Sequence, residues 1–197
     1  GASVGVAERR QREFKRREDD ILAAALTYFD EDGWESVTVE QIAARAEIGK
    51  GTVYKHFATK HEIYARLALD FYFDMFAVLR RVDPGDSAPA TLRAVIREAF
   101  QFHLDRPQYR RLIQYCARDD FRKRLPPSLQ QAFTRLDDEF MGFMGGVLES
   151  GIASGLIPDR PIARLTLGSH ATFEGAIGLM WNDVMNDDFG VYKAQYG

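Results

Sequence analysis

AEIGKGTVYKHFATKHEIY, residues 46–64, opens as a turn, continues as a short helix lined with Lys, Thr, Tyr and His, and then starts over as a second helix. Glu47-Ile48-Gly49 is a tight connection, and Gly49 can cap the helix that follows. That helix runs from Lys50 to about Phe57. Val53 and Phe57 are four residues apart, so they stack on one face and anchor it. Lys50, Gly51, Thr52, Tyr54, Lys55 and His56 are left for the outside. Thr59 with Glu62 makes a capping-box pattern. It opens a long helix through Ile63, Tyr64, Leu67, Phe71, Met75, Val78 and Leu79.

Upstream lies TVEQIAARA, residues 38–46. Thr38 and Gln41 form a capping box, and Ile42, Ala43 and Ala46 give this short helix a narrow apolar face. Before it, Ile21, Leu22, Ala25, Leu26 and Phe29 recur at helical spacing, and Gly33 follows as a stop with Trp34 behind it. Two short helices joined by a tight turn after a longer first helix make a helix-turn-helix, whose second helix is built to lie in the major groove of DNA. The outward residues suit that task. Gly51 and Thr52 keep the leading end slim, and the Thr52 hydroxyl and methyl can meet a phosphate or a thymine methyl. Lys50 and Lys55 can reach guanine edges or phosphates. Tyr54 and His56 can donate to phosphate oxygens, which positions a protein without reading sequence. Thr38 and Lys60 sit at helix N-termini, where free N–H groups and the helix dipole favour a phosphate.

The order TVEQIAARAEIGKGTVYKHFATKHEIY resembles the DNA-binding domain of the tetracycline-repressor (TetR) family of bacterial regulators. The matching pieces are Gly33-Trp34, Thr38, Ile42-Ala43, Gly49, Gly51-Thr52-Val53-Tyr54, His56-Phe57 and Lys60-His61-Glu62, within about residues 17–64. By this resemblance Thr38, Thr52, Tyr54, His56 and Lys60 fall on phosphate-contact positions, and Lys50, Gly51 and Lys55 fall where base contacts are expected. Two positions depart from the pattern: Gly49 stands where a serine cap is frequent, and Lys55 where an aromatic or other residue is common. The resemblance also implies a second, larger helical domain that dimerises and often binds a small molecule.

Charge is segregated along the first sixty residues. Residues 8–17, ERRQREFKRR, carry a balance of +4; residues 18–40 carry eight carboxylates and no Lys or Arg; residues 45–60 carry +3. Such asymmetry steers a polyanion toward one side, although the chain as a whole is at −3. VDPGDSAPA, residues 82–90, reads as a linker. Beyond it helical patterns run at about 90–105, 107–118, 127–154 and 161–186, broken at Pro107, Pro126-Pro127 and SGLIPDRP (154–161). The fold class expected is all-α: an N-terminal three-helix helix-turn-helix DNA-binding domain plus a larger C-terminal helical domain for dimerisation and ligand binding. The expected division is a flexible basic arm at 1–16, the DNA-binding domain at 17–64 and the regulatory domain at 65–197.

In the regulatory part, Phe71, Met75, Phe100, Leu104, Ile113 and Phe140 are bulky apolar side chains on the middle helices. His103, Tyr109, Tyr115 and Cys116 add polar tips among them. A pocket so lined suits a small, mostly apolar or aromatic effector. Gly168, Ala171, Gly175 and Gly178 recur at helical spacing, with Gly142, Gly145 and Gly146 on the helix before. Small residues let helices approach closely, either across a two-fold dimer or within one chain. No H-E-x-x-H, G-x-S-x-G or phosphate-loop pattern occurs. The single cysteine, Cys116, has no C-x-x-C partner. Neither enzymatic activity nor a metal or cofactor is expected. No apolar run approaches membrane-spanning length. A cytoplasmic homodimer binding a palindromic double-stranded operator is expected, a repressor rather than an activator. The alternative is a helix-turn-helix protein without a ligand, acting through dimerisation or a protein partner.

Overall fold

The computed structural model describes residues 2–183. The helices are α1 (Ala2–Tyr28), α2 (Val39–Arg45), α3 (Lys50–His56), α4 (Lys60–Arg80), α5 (Ala88–Leu104), α6 (Arg110–Cys116), α7 (Asp119–Arg122), α8 (Pro127–Ala153) and α9 (Ile162–Asp183). Short 3-10 turns occupy Trp34–Ser36 and Pro107–Tyr109. Among the described residues there is no strand, and no helix is long and apolar enough to cross a membrane. The all-α expectation holds. The last residues of the expected 161–186 helix lie outside the described ones.

Contacts divide the chain into two compact units. Among the described residues, the first comprises those up to Asp70 together with Arg111–Gln130; the second comprises Phe71–Arg110 and those from Gln131 to Asp183. Helices α4 and α8 contribute to both.

In the first unit the apolar spacing read from the sequence becomes a core. Ile21 and Ala25 of α1, Phe29 just after it, Ile42 and Ala43 of α2, Val53 of α3 and Ile63 of α4 are all buried. The Tyr28 hydroxyl donates to the Gln41 carbonyl at 2.9 Å. The Arg45 guanidinium lies 3.5 Å from the centre of the Tyr28 ring and pairs with Glu31 at 2.6 Å. Arg45 is thereby spent on holding α2 to α1 rather than left for a ligand. The second half of this core comes from α6 and α7. Leu112 and Cys116 of α6, Phe121 of α7 and Leu125 just beyond it are buried there. Tyr115 stands edge-on to Trp34 at 5.5 Å and tilted to Phe121 at 5.1 Å. The Cys116 thiol donates to the Tyr64 carbonyl at 3.6 Å. Burial pushes that thiol far above its ordinary pKa, so it stays protonated and unreactive.

The arginine-rich start differs from its expectation. Composition suggests a flexible arm at 1–16, but α1 is helical from Ala2. Good helix formers (Ala7, Glu8, Arg9, Arg10, Gln11, Arg12) carry the helix back from its buried root. The pairs Arg17–Glu13 (2.9 Å) and Lys15–Asp19 (3.3 Å), each four residues apart, support it.

In the second unit Ser87 caps α5, its hydroxyl accepting from the Ala90 N–H at 3.3 Å. Aromatic side chains make the centre. Phe71 contacts Phe102, His103 and Tyr109 at centroid distances of 5.0–5.1 Å. The Trp181 indole donates to the His103 carbonyl at 3.1 Å, tying α9 to α5.

Candidate nucleic-acid interface

The connection between α2 and α3 fixes the angle of the reading helix. The Ile48 N–H bonds the Ala43 carbonyl at 3.0 Å and the Glu47 N–H bonds Ala44 at 3.1 Å. This is a Schellman ending, and its left-handed position is filled by Glu47 at φ 56° rather than by glycine. Gly49 then opens α3 with extended backbone and no side-chain cap. At the other end of α2, Thr38 accepts from the Gln41 N–H at 3.2 Å while Gln41 Oε1 accepts from the Thr38 N–H at 2.9 Å, the full capping box.

On α3, Val53 is 0% exposed and Phe57, just beyond it, is also buried. Gly51, Tyr54 and Lys55 are exposed, and Thr52 is half-buried beside them. A side chain at Gly51 would project into open space, so its absence leaves room for another molecule's surface to approach the backbone. Lys55 has no ion-pair partner among the described residues. Lys50 pairs with the Glu40 carboxylate and sits 5.7 Å from the centre of the Tyr54 ring. The hydrogen bond between them holds the Lys50 ammonium above its ordinary pKa and the Glu40 carboxyl below its own. The pair lies on the surface, so a phosphate or a guanine edge can displace Glu40 at small cost.

Two expected contact residues are placed otherwise. His56 is turned inward: its side chain is 2% exposed, stacks on Phe14 at a ring distance of 3.9 Å and meets Glu18 at 3.4 Å. Helical geometry puts position 56 close to the buried Val53 and Phe57 face, and α1 supplies an aromatic ring there. The imidazole is therefore a fastener between α3 and α1 and is not on the outer surface. Glu18 completes the fastening by accepting from Arg66 of α4 at 2.9 Å. Lys60 stands at the start of α4 as expected, but its ammonium donates to the Val37 and Glu35 carbonyls at 2.9 and 3.4 Å. It ties α4 to the extended approach to α2, and one of its three donors is left for a phosphate.

The second unit contains a cavity of about 500 Å³ between residues of α4, α5, α8 and α9. Of the ten effector-contact candidates, Met75, Phe100 and Phe140 line it. Phe71, His103 and Tyr109 belong to the aromatic centre behind Phe173, and Leu104 is half-buried away from the cavity. Ile113 and Cys116 belong to the first unit's core, and Tyr115 is half-buried at its edge against Trp34 and Phe121. Bulk and spacing mark a side chain as inward; they do not say into which interior. The cavity's polar groups come from α9: Arg164, Thr166, Ser169, His170 and Thr172, none of which the sequence placed in a pocket. The clustering of five polar residues between positions 164 and 172 was the available signal.

His103 is a core residue with a measurable consequence. Its Nδ1 lies 2.7 Å from the Ala99 carbonyl, so Nδ1 carries the proton and donates. Burial lowers its pKa from 6.5 to about 4, with Arg106 adding to the effect and the Ala99 bond opposing it. The unfolded chain takes up a proton below about pH 6.5 and the folded chain does so only near 4, so stability falls as pH drops through that window. The loss reaches about 3 kcal/mol at most. Urea unfolding of the parent and of His103→Leu at pH 7.5 and 4.5 is expected to show a drop larger by about 2 kcal/mol in the parent; equal drops would contradict it.

The small-residue positions divide. A Cβ at Gly145 would meet Ile162 at 3.6 Å, an ordinary contact, so that buried position faces the chain's own interior. At Gly142, Gly146, Gly168, Gly175 and Gly178 a Cβ would meet nothing within 4 Å. On α9, Leu167 and Leu179 are each 67% exposed, with Ala171 and Gly175 exposed between them at four-residue spacing. This apolar stripe has no cover among the described residues.

The comparisons with known proteins agree on the kind of molecule. The family model described as "Bacterial regulatory proteins, tetR family" matches residues 21–67. The chain is 24% identical over 152 residues to the HTH-type transcriptional repressor NicS of Pseudomonas putida, covering 76% of this chain and 70% of that protein. It is 29% identical over 140 residues to the HTH-type transcriptional repressor KstR2 of Rhodococcus jostii, covering 71% and 67%. Among solved structures, the TetR family transcriptional regulator PfmR from Thermus thermophilus superposes with a TM-score of 0.67 at 19% identity over 80% of this chain and 84% of that one. The fatty acid degradation regulator FadR from Bacillus halodurans does so at 0.67 and 16% over 90% and 91%. At these identities the two structures share the fold.

Proposed function

We propose that this chain, which belongs to the tetR family of bacterial regulatory proteins, is a transcriptional repressor that binds a palindromic operator as a homodimer and releases it when a small molecule occupies the second unit. The observation that carries the reading is the outer ridge of α3: Gly51, Tyr54 and Lys55 exposed over the buried anchors Val53 and Phe57, with Lys50 and Thr52 alongside. We assign DNA binding to residues 17–64 and regulation to 65–197. Thr38, Lys50, Thr52, Tyr54, Lys55 and Lys60 contact phosphates or bases in this reading, and Gly51 lets the backbone approach them; His56 acts through the placement of α3.

Dimerisation is assigned to the uncovered α9 stripe of Leu167, Ala171, Gly175 and Leu179, with Gly142 and Gly146 of α8. Two-fold pairing matches a palindrome whose half-sites lie about 34–36 Å apart. The 500 Å³ cavity supports a ligand-responsive repressor over one that only dimerises, because close-packed interiors do not leave such space without cause. Its walls are apolar apart from the α9 side chains, which suits an effector with an apolar body. Helix α4 carries Met75 and Leu79 on the cavity wall and Lys60 and Ile63 in the first unit. An effector that favours one position of α4 alters the spacing of the two α3 helices, and needs only a difference in affinity between the two spacings.

A melting-temperature screen of small organic molecules tests this. A compound at 100 times its dissociation constant stabilises the native state by about 2.7 kcal/mol. The expected hits raise the midpoint and release operator DNA, and Phe100→Ala with Met144→Ala abolishes both effects. Hits that raise the midpoint while leaving DNA bound would contradict the regulatory role of the cavity.

A further inference from the structure

We infer that Glu40 is a specificity-determining residue of the DNA interface: it keeps Lys50 from phosphates and reserves that ammonium for the edge of a guanine. The inference rests on the DNA-binding reading of α3 and gives α2 a part in choosing the site.

Three observations carry it. The first is place. Lys50 is the first residue of α3, and in a helix-turn-helix the N-terminal residues of the second helix are the ones that reach base edges. Its ammonium lies 5.7 Å from the centre of the Tyr54 ring, which is 45% exposed on the outer ridge. The second is the partner. Glu40 stands in the first turn of α2, two residues after Thr38, and its carboxylate pairs with Lys50 across the two helices. Both side chains are about half exposed. The hydrogen bond to Lys50 is the main cause that holds the Glu40 carboxyl below its ordinary pKa, so the group is charged at neutral pH. A carboxylate thus sits among residues that face a polyanion. Lys55 is exposed and has no such counter-charge among the described residues. Helix α3 therefore carries two lysines of different kind, one countered and one free.

The third is chemistry. An ammonium has three donors. Glu40 occupies one, which leaves two for the O6 and N7 acceptors of a guanine. Those acceptors carry no net charge, so the base edge is not repelled and the Glu40–Lys50 pair stays intact. A phosphate is different. Breaking an exposed pair is cheap, but the displaced carboxylate remains tethered to α2 beside the incoming charge. Two like charges about 4 Å apart lose roughly fivefold in affinity even in bulk water. Non-specific binding is made of phosphate contacts, whereas an operator adds base edges. Glu40 therefore weakens non-specific binding more than operator binding, while Lys55 attracts either.

The test measures affinity for an operator and for an unrelated duplex across a salt series, using the full chain, Glu40→Gln and Glu40→Gln/Lys50→Met. Urea unfolding checks that the variants fold as the parent does. Glu40→Gln is expected to tighten the unrelated duplex about fivefold per reading head. Its slope of log affinity against log salt is expected to steepen by about 0.9 per head, because Lys50 now neutralises a phosphate. The operator is expected to change less, so the ratio of the two affinities falls. The double variant removes one charge of each sign. It is expected to keep the parent's affinity and slope on the unrelated duplex and to lose about fivefold or more per half-site on the operator, as removal of one base contact does. Methylation of one guanine N7 in each half-site is expected to weaken the parent and leave the double variant indifferent. Equal tightening of both duplexes by Glu40→Gln, or no change on either, overturns the inference. A loss confined to the operator also overturns it, because Glu40 would then read a base itself. Lys55→Ala separates the two claims: if it lowers operator affinity, the reading of α3 stands whatever Glu40 does. Operator-indifferent binding by the full chain overturns both.

Discussion

Tyr54→Ala combined with Lys55→Ala is expected to lower operator affinity at least 100-fold while leaving the unfolding free energy within about 0.5 kcal/mol of the parent. Both side chains are exposed on α3, Tyr54 at 45%, and surface substitutions without buried partners change stability by no more than that. A specific base contact contributes about 1–3 kcal/mol of discrimination. Removing it at Lys55, together with a Tyr54 phosphate contact, corresponds to two decades or more. The Tyr54 ring also sits beside the Lys50 ammonium, so its removal frees Lys50 to wander. Anisotropy titrations with a labelled operator give the affinity and urea unfolding gives the control. Val53→Ala is the contrasting variant: it empties a fully buried position and acts through stability. Unchanged operator affinity in the double variant would remove the outer ridge of α3 from the interface.

The second large effect concerns assembly. Leu167→Glu with Leu179→Glu is expected to turn a dimer into a monomer. The two leucines bracket Ala171 and Gly175 on an otherwise uncovered stripe of α9. Four glutamates brought into a two-fold contact would be buried without partners. Joining two reading heads gains a factor of about 10² to 10⁴ through effective concentration, so the monomer is expected to lose at least 100-fold on a palindrome while keeping its affinity for a half-site. Light scattering on a sizing column gives the mass. A variant that stays dimeric places the interface elsewhere.

Local patterns were legible where one short segment decides them. The Thr38–Gln41 box, the inward pair Val53 and Phe57, and Gly33 at φ 78° each follow from spacing or backbone sterics alone, and each is present. What was not legible depends on partners distant in sequence. His56 falls at the edge of the inward face on a helical projection, and only Phe14, far earlier in the chain, decides which way its ring turns. Tyr115 and Cys116 share the bulk and spacing of Met75 and Phe100, yet they close on Trp34 and Tyr64 and leave the cavity to others. The one-turn helix α7 is too short to show a period, and Phe121 on it is buried all the same. The helical start of α1 was hidden by its composition, since an exposed run of arginine reads equally as coil until the i, i+4 pairs behind it are seen.

The central claim is that this protein reads a specific DNA site through paired α3 helices. Footprinting the purified protein on the DNA flanking its own gene, across a salt series, tests it most directly. The expected result is a palindromic protected site with half-sites one helical turn or a multiple apart, and a steep fall of log affinity against log salt. Weak binding that is indifferent to sequence, with no protected site on any fragment, would contradict the claim.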